Sequence, residues 1–198
     1  GLLDPDSETV YAMGTAHGTV KRLKPDALAR DEWEVIALED GDRLVGFAPS
    51  TDSSDLVFIS SDAQLLRTSA NKVRPQGRTA SGMAGMKLLD AAEAIGFWVV
   101  DSAEDSLVVT VAAAEGALPG SGQTTVKVTP FALYPSKGRG GQGVRAQRFL
   151  RGEDRLDLAW VGPRPARAAN AEGSPVDLPA EDERRDASGT PIVVSIDS

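Results

Sequence analysis

The sequence predicts an all-β fold: one domain built by radial repetition of short antiparallel units, in the manner of a propeller. Three observations lead there. The apolar runs VYAM, LVFI, FWVV, LVVTV and TVKV are short, β-branched or aromatic, and bounded by Gly, Asp, Ser and Pro, which is how strands read. The runs recur, since TVYAMGTAHGTVKRL (9–23) aligns without a gap with DLVFISSDAQLLRTS (55–69) at an offset of 46 residues. Recurrence at such a period marks a stacked or radial repeat. Helical periodicity is weak and confined to KLLDAAEA (87–94), read as a helical turn or loop.

Taken in order, the units run over about 9–50, 55–101, 106–155 and 156–196, within a single domain spanning 1–198. Units one and two each hold an apolar strand, a small polar turn and a second strand ending in a basic residue, so that Lys21 stands opposite Arg67. The third begins at SLVVTVAAA (106–114), takes the insertion EGALPGSGQ (115–123) and resumes as TTVKVTP (124–130), with Lys127 at the same place. The fourth begins at LDLAWVG (156–162) and continues as SPVDLPA (174–180), where the basic position has become Asp177. Units two and three share a later segment, QGRTASGMAGMKL (76–88) against KGRGGQGVRAQRF (137–149), which sets Arg78 opposite Arg139, Gly82 opposite Gly143 and Lys87 opposite Arg148. EDERRDASGTP (181–191) reads as a polar loop before a closing strand IVVSI (192–196). About four blades follow from this count.

With 41% hydrophobic and 25% charged residues among 198, the composition is that of a soluble globular protein with enough apolar mass for a core. No run of about eighteen apolar residues reads as a membrane span. The start, GLLDPDSETVYAMGT, has no signal-peptide pattern and no initial Met, so the chain reads as a piece of a longer protein. The absence of Cys excludes a disulfide framework and a thiolate metal site, and fits a cytoplasmic protein. Abundant Arg, Ala, Gly and Pro beside scarce Lys and Asn suggest a GC-rich bacterial genome.

The net charge of −8 argues against a polyanionic partner until the charges are placed. Residues 9–25 carry three bases, 63–89 five and 116–152 six, with no acid in any of the three stretches. The intervening 26–62 hold ten acids against two bases, and 90–115 six acids against none. Charge segregated in step with a structural repeat predicts basic edges on successive units, and such an edge attracts a polyanion whatever the total. The strip SKGRGGQGVRAQRFLRG (136–152), with five bases, no acid and five glycines, has the composition that phosphate contacts require.

GTVKR (18–22), GRTASGMAGMKL (77–88) and GRGGQGVRAQRFL (138–150) resemble the repeats of the C-terminal domain of the A subunit of bacterial type IIA topoisomerases, the family of DNA gyrase and topoisomerase IV. The resemblance covers nearly the whole chain, more closely over 9–150 than over 151–198. It implies a β-pinwheel, a propeller-like fold whose neighbouring blades exchange strands. It further implies a non-catalytic module whose rim binds and bends duplex DNA without sequence specificity. Cleavage by a tyrosine, ATP and Mg²⁺ belong elsewhere in the parent enzyme, and the module itself needs no cofactor and no metal. The implied partners are duplex DNA, the rest of the A chain of the enzyme and its ATPase B subunit, in a cytoplasmic, nucleoid-associated setting with no membrane. The DNA-binding residues expected are Lys21, Arg22, Lys24, Arg67, Lys72, Arg74, Arg78, Lys87, Lys127, Lys137, Arg139, Arg145 and Arg148. Gyrases carry a Gln-Arg/Lys-Arg-Gly-Gly-Arg/Lys-Gly box in the first blade, but here the matching stretch LARDEWEVIALEDGD (28–42) is acidic, and KGRGGQG (137–143) in unit three matches only in part. That departure, with about four blades against six, favours a topoisomerase IV-like enzyme, the alternative being the wrapping domain of gyrase.

Two other classes compete: a propeller serving as a protein-interaction platform, and a propeller enzyme with its site at the central channel. The apolar strands speak against the second. No nucleophile–His–acid arrangement fits with His17, the one His, in a turn. Tyr11 and Tyr134 are assigned no chemistry, and Trp33, Trp98 and Trp160 read as core. Asp31, Glu32, Glu34, Glu39, Asp40 and Asp42 do not follow the EF-hand pattern and read as a solvated acidic face. GALPGSGQ (116–123) lacks the Lys-Ser/Thr of a P-loop.

Overall fold

In DLVFIS (55–60) four consecutive apolar side chains, Leu56 to Ile59, are fully buried. A strand points successive residues to opposite faces, so both faces of this strand are covered, and the fold follows from what covers them. The computed structural model describes residues 9–25, 34–114, 124–193 and 196–197. They form strands β1 (Val10–Thr15), β2 (Thr19–Leu23), β3 (Leu44–Ser50), β4 (Asp55–Ser60), β5 (Gln64–Ser69), β6 (Pro75–Gln76), β7 (Met83–Ala84) and β8 (Ala94–Val100). There follow β9 (Ser106–Ala113), β10 (Thr124–Pro130), β11 (Ser136–Lys137), β12 (Val144–Arg145), β13 (Arg155–Pro163), β14 (Ala168–Ala169), β15 (Pro175–Val176) and β16 (Thr190–Ile192). No α-helix occurs among the described residues, only 3₁₀ turns at Ala70–Lys72 and Phe131–Leu133. KLLDAAEA is a loop with a turn closed by the Ala92 N–H donating to the Leu89 carbonyl.

Among the described residues three blades result. Blade 1 is ordered β3-β1-β2, blade 2 β8-β4-β5 and blade 3 β13-β9-β10. The fourth position of each is taken by a segment from further along the chain. In blade 1, β6 pairs parallel with β2 and β7 antiparallel with it. In blade 2, β11 and β12 pair with β5 in the same two senses. In blade 3, β16 pairs antiparallel with β10. The all-β, strand-exchanged pinwheel expected from the sequence is therefore present.

The blades stack face to face. Leu56, Phe58 and Leu66 of blade 2 pack with Ala12 and Val20 of blade 1, together with Phe97, Met86 and Val73. From the other face of blade 2, Val57, Ile59 and Leu65 pack with Val108, Ala112, Leu156 and Val161 of blade 3. The outer face of blade 3, through Leu107, Val109 and Val111, is covered by Ala166, Leu178, Ile192 and Ile196 of the C-terminal segment. Each buried aliphatic or phenyl side chain contributes roughly 1.5–3 kcal/mol, so the short strands are held by their faces more than by their length. Arg43 and Glu93 add a two-pronged ion pair between the loops before β3 and β8, at 2.7 and 3.0 Å. Both side chains are about half exposed, which keeps that contribution small.

Three sequence expectations are corrected. The stretch 156–196 is not a fourth blade: its first strand, β13, completes blade 3, and β14 and β15 form only a two-stranded hairpin. The closing strand is Thr190–Ile192 rather than 192–196; Val194 and Ser195 lie outside the described residues. The repeat offset between the first two blades is 45, not 46. Arg22 pairs with Pro75 and Arg67 with Ser136, while Val20 pairs with Met83 and Leu65 with Val144. Arg22 is thus the counterpart of Arg67, and Lys21 that of Leu66. By the same register Val126, paired with Thr190, matches Val20, so Lys127 corresponds to Lys21. Asp177 follows the hairpin strand β15 and holds no such position.

Candidate nucleic-acid interface

The thirteen expected contact residues separate into two sets. Lys21, Arg22 and Lys127 are 0%, 1% and 2% exposed, so their expected contact with phosphate is overturned. Burial here is structural. The Lys21 ammonium donates to the main-chain carbonyls of Val35, Arg78 and Ala80 at 2.6, 2.8 and 2.6 Å. Arg22 donates to the carbonyls of Ala70 and Val73 and pairs with Asp52 at 2.7 Å. Lys127 donates to the Thr129 hydroxyl at 2.5 Å and to the carbonyls of Ala146 and Arg185 at 3.2 and 2.8 Å. Burial pushes both lysines below the ordinary range, Lys127 to about 8; Asp182 and Asp186 partly oppose this at Lys127, and Glu34 at Lys21. Arg67 is half-buried and committed as well. It pairs with Asp55 at 2.7 Å, donates to the Tyr134 carbonyl at 3.1 Å and lies 4.8 Å from the Phe131 ring centroid.

The second set lies on the exchanged segments. Lys72, Arg74, Lys87, Lys137, Arg139, Arg145 and Arg148 are exposed and Arg78 partly so. None of these eight forms a salt bridge among the described residues. Lys24 is exposed at the end of β2. The segments carrying the eight run along the β2 edge of blade 1 and the β5 edge of blade 2, and they touch. Lys72 Nζ donates to the Lys137 carbonyl at 3.3 Å, Arg139 to the Ala84 carbonyl at 3.2 Å, and the Gly140 N–H to the Gly85 carbonyl at 2.5 Å. The Lys87 N–H donates to the Gly141 carbonyl at 2.9 Å.

Glycine is required where these segments turn onto their host strands. Gly82 and Gly143 have φ of +92° and +88°, and a side chain at Gly143 would fall on the Leu65 carbonyl, at Gly82 on Thr19 and the Val20 carbonyl. Left-handed backbone pressed against a neighbouring strand leaves room for no Cβ.

A third edge segment was not anticipated from the sequence. The Arg148 N–H donates to the Ala187 carbonyl at 3.0 Å, as the Lys87 N–H does to Gly141. Ala187 thus matches Gly141 and Ala80, and Arg185 matches Arg139 and Arg78. The signal was present, because Arg78-Thr79-Ala80-Ser81-Gly82 and Arg185-Asp186-Ala187-Ser188-Gly189 agree at four of five positions. Here the charges are mixed: Arg184 pairs with Asp182 at 3.1 Å, and each draws the other toward its charged form.

Of the remaining residues, His17 is exposed in its turn, and Trp98 and Trp160 pack against the cores. Trp33, Asp31, Glu32 and the stretch 116–123 lie outside the described residues. No helix among the described residues is long and apolar enough to cross a membrane.

Exchanged strands, face-packed blades and exposed basic edge segments define a β-propeller-type domain of the strand-swapping kind. Residues 54–97 and 125–158 match the family model for the DNA gyrase C-terminal domain, beta-propeller. The chain belongs to the family of C-terminal domains of the A subunits of DNA gyrase and topoisomerase IV. It is 31% identical over 148 residues to the DNA gyrase A subunit of Pseudomonas aeruginosa, covering 73% of this chain and 15% of that protein. The C-terminal domain of DNA topoisomerase IV superposes with a TM-score of 0.77 at 17% identity, over 96% of this chain and 58% of that one. The DNA gyrase A C-terminal domain superposes at 0.70 and 14% identity, over 97% and 64%. The chain therefore spans about 15% of the length of the gyrase subunits it matches.

Proposed function

We propose that this domain is a non-catalytic DNA-binding and DNA-bending module of a type IIA topoisomerase A subunit. The observation that carries the reading is the pair of adjoining edge segments, 72–87 and 136–148, whose cations are exposed, Arg78 in part, and form no salt bridge among the described residues. A duplex presents one charge per about 1.7 Å of axis, and each lysine or arginine that replaces a condensed counterion contributes to a salt-dependent affinity. Contacts of this kind fix position and read no bases. Bending 20–30 base pairs costs on the order of 1–6 kcal/mol, which a few additional phosphate contacts offset. The contact set is Lys24, Lys72, Arg74, Arg78, Lys87, Lys137, Arg139, Arg145 and Arg148, extended by Arg185.

The parent enzyme is read as topoisomerase IV-like, bending and presenting duplex for ATP-driven strand passage with its B subunit. Three blades among the described residues and an incomplete box at 137–143 support that over tight wrapping. The gyrase reading is favoured by the sequence likeness to the Pseudomonas aeruginosa gyrase A subunit and keeps the same interface. The two separate on a topology assay of DNA incubated with domain and relaxing enzyme, where wrapping traps supercoils of one hand and bending traps few.

The test of the interface is an electrophoretic shift of unrelated duplex sequences over a salt series. Binding that falls linearly on logarithmic axes and ignores sequence supports the proposal. Salt-independent binding, or binding to proteins but not DNA, overturns it in favour of an interaction platform.

A further inference from the structure

Lysines fully inside a protein are rare, because an ammonium leaves water at high cost unless each N–H finds an acceptor. Blades 1 and 3 carry one each at the same position, and every neighbour of the two ammonium groups that accepts a hydrogen bond is oxygen. Two of the three acceptors of Lys21 are carbonyls of the edge segment, Arg78 and Ala80. Lys127 reaches the carbonyl of Arg185, the counterpart of Arg78. In both blades the buried ammonium therefore holds the main chain of the arginine that precedes the antiparallel exchanged strand. Blade 2 has Leu66 at this position. Its arginine is tied sideways instead, through the Arg139 and Gly140 contacts to Ala84 and Gly85.

We propose that Lys21 and Lys127 are positioning residues for DNA binding: without touching phosphate, each pins the backbone from which Arg78 or Arg185 reaches the duplex. This rests on the DNA-binding reading above. An arginine launched from a fixed Cα loses less freedom on binding than one launched from a loose loop, so a pinned segment binds more tightly with no added charge. The pinned segment is donated by a later part of the chain, which makes the ammonium a fastening between one blade and its neighbour's contribution.

The experiment is a double-mutant cycle on the chain, read by binding to a random-sequence duplex of about 30 base pairs across a salt series. Lys21→Met removes all three donors and no exposed charge. Leu66 at the equivalent position shows that an apolar side chain fits this frame. Lys21→Met is expected to weaken binding roughly five- to tenfold and to lower the salt slope by about one, as the loss of one phosphate contact does. Arg78→Gln is expected to do the same, and the double variant to be no worse than Arg78→Gln alone, since coupled residues are not additive. Lys127→Met with Arg185→Gln repeats the cycle on blade 3 should Lys21→Met fail to fold. Wild-type affinity and slope in Lys21→Met, or full additivity with Arg78→Gln, overturns the positioning role while the interface stands. No salt-dependent binding by the unmutated chain overturns both.

Discussion

The edges of blades 2 and 3 occupy one structural frame and carry opposite characters. On blade 2, residues 136–148 bring four bases and no acid; on blade 3, residues 181–186 bring four acids against two bases. Yet Arg139 and Arg185 stand at the same register, and both segments leave their arginine by a small residue and a glycine. The run from Arg to Gly is what the backbone needs in order to lie on its host strand. The charges around it are free to vary, and they decide what the edge attracts. The comparison predicts strong DNA contact at blade 2 and weak contact at blade 3.

The largest expected effect comes from Arg139→Glu with Arg145→Glu. Near 0.1 M salt, affinity should fall roughly a hundredfold and the salt slope by about two. Arg185→Glu should cost only a few-fold. Equal losses from the two edges, or none from the first, would break the comparison. Next is stability: Gly143→Ala should cost about 2 kcal/mol by forcing a left-handed alanine against Leu65, lowering the midpoint by roughly 4–8 °C in a thermal melt. Gly138→Ala, where nothing lies within 4 Å, should change it little. Smaller still, Asp182→Asn with Asp186→Asn should tighten DNA binding two- to fivefold by making the third edge resemble the second. Unchanged affinity would mean that the duplex never reaches blade 3.

A further prediction is a dependence of stability on pH. The Lys127 ammonium titrates near 8 in the fold against 10.5 for a free lysine. Between those values the unfolded chain binds more protons, so unfolding free energy should rise as pH goes from 8 to 10.5. Below 8 the full penalty of the buried charge is present. Urea unfolding across this window should show a positive slope that Lys127→Met reduces, the remainder coming from Lys21, which burial also pushes down.

Strands and basic strips were legible because both are written locally, in runs such as LVFI and in the absence of acids from 63–89 and 116–152. Burial was not. TVKRL reads as a strand with two cations near its end, and only the covering segments, from 34–36 and from 70–80, show that Lys21 and Arg22 are inside. The 46-residue alignment was one residue out because an ungapped match rewards apolar coincidence over register, and that slip placed Lys21 with Arg67. The third edge was hidden by its own charge: four acids around RDASG drew the eye away from its likeness to RTASG. Three blades looked like four because β13, an outer strand of blade 3, begins like a new unit.

Strand donation has a consequence for how the molecule comes into being. Blade 1 cannot be completed before residue 84 exists, blade 2 before residue 145, or blade 3 before residue 192. On the ribosome each sheet waits with an open flank for chain still to be synthesised, and an open flank invites pairing with another polypeptide. A message cut short just ahead of the Thr190 codon would therefore release a protein with most of its core intact and one adhesive side, along β10.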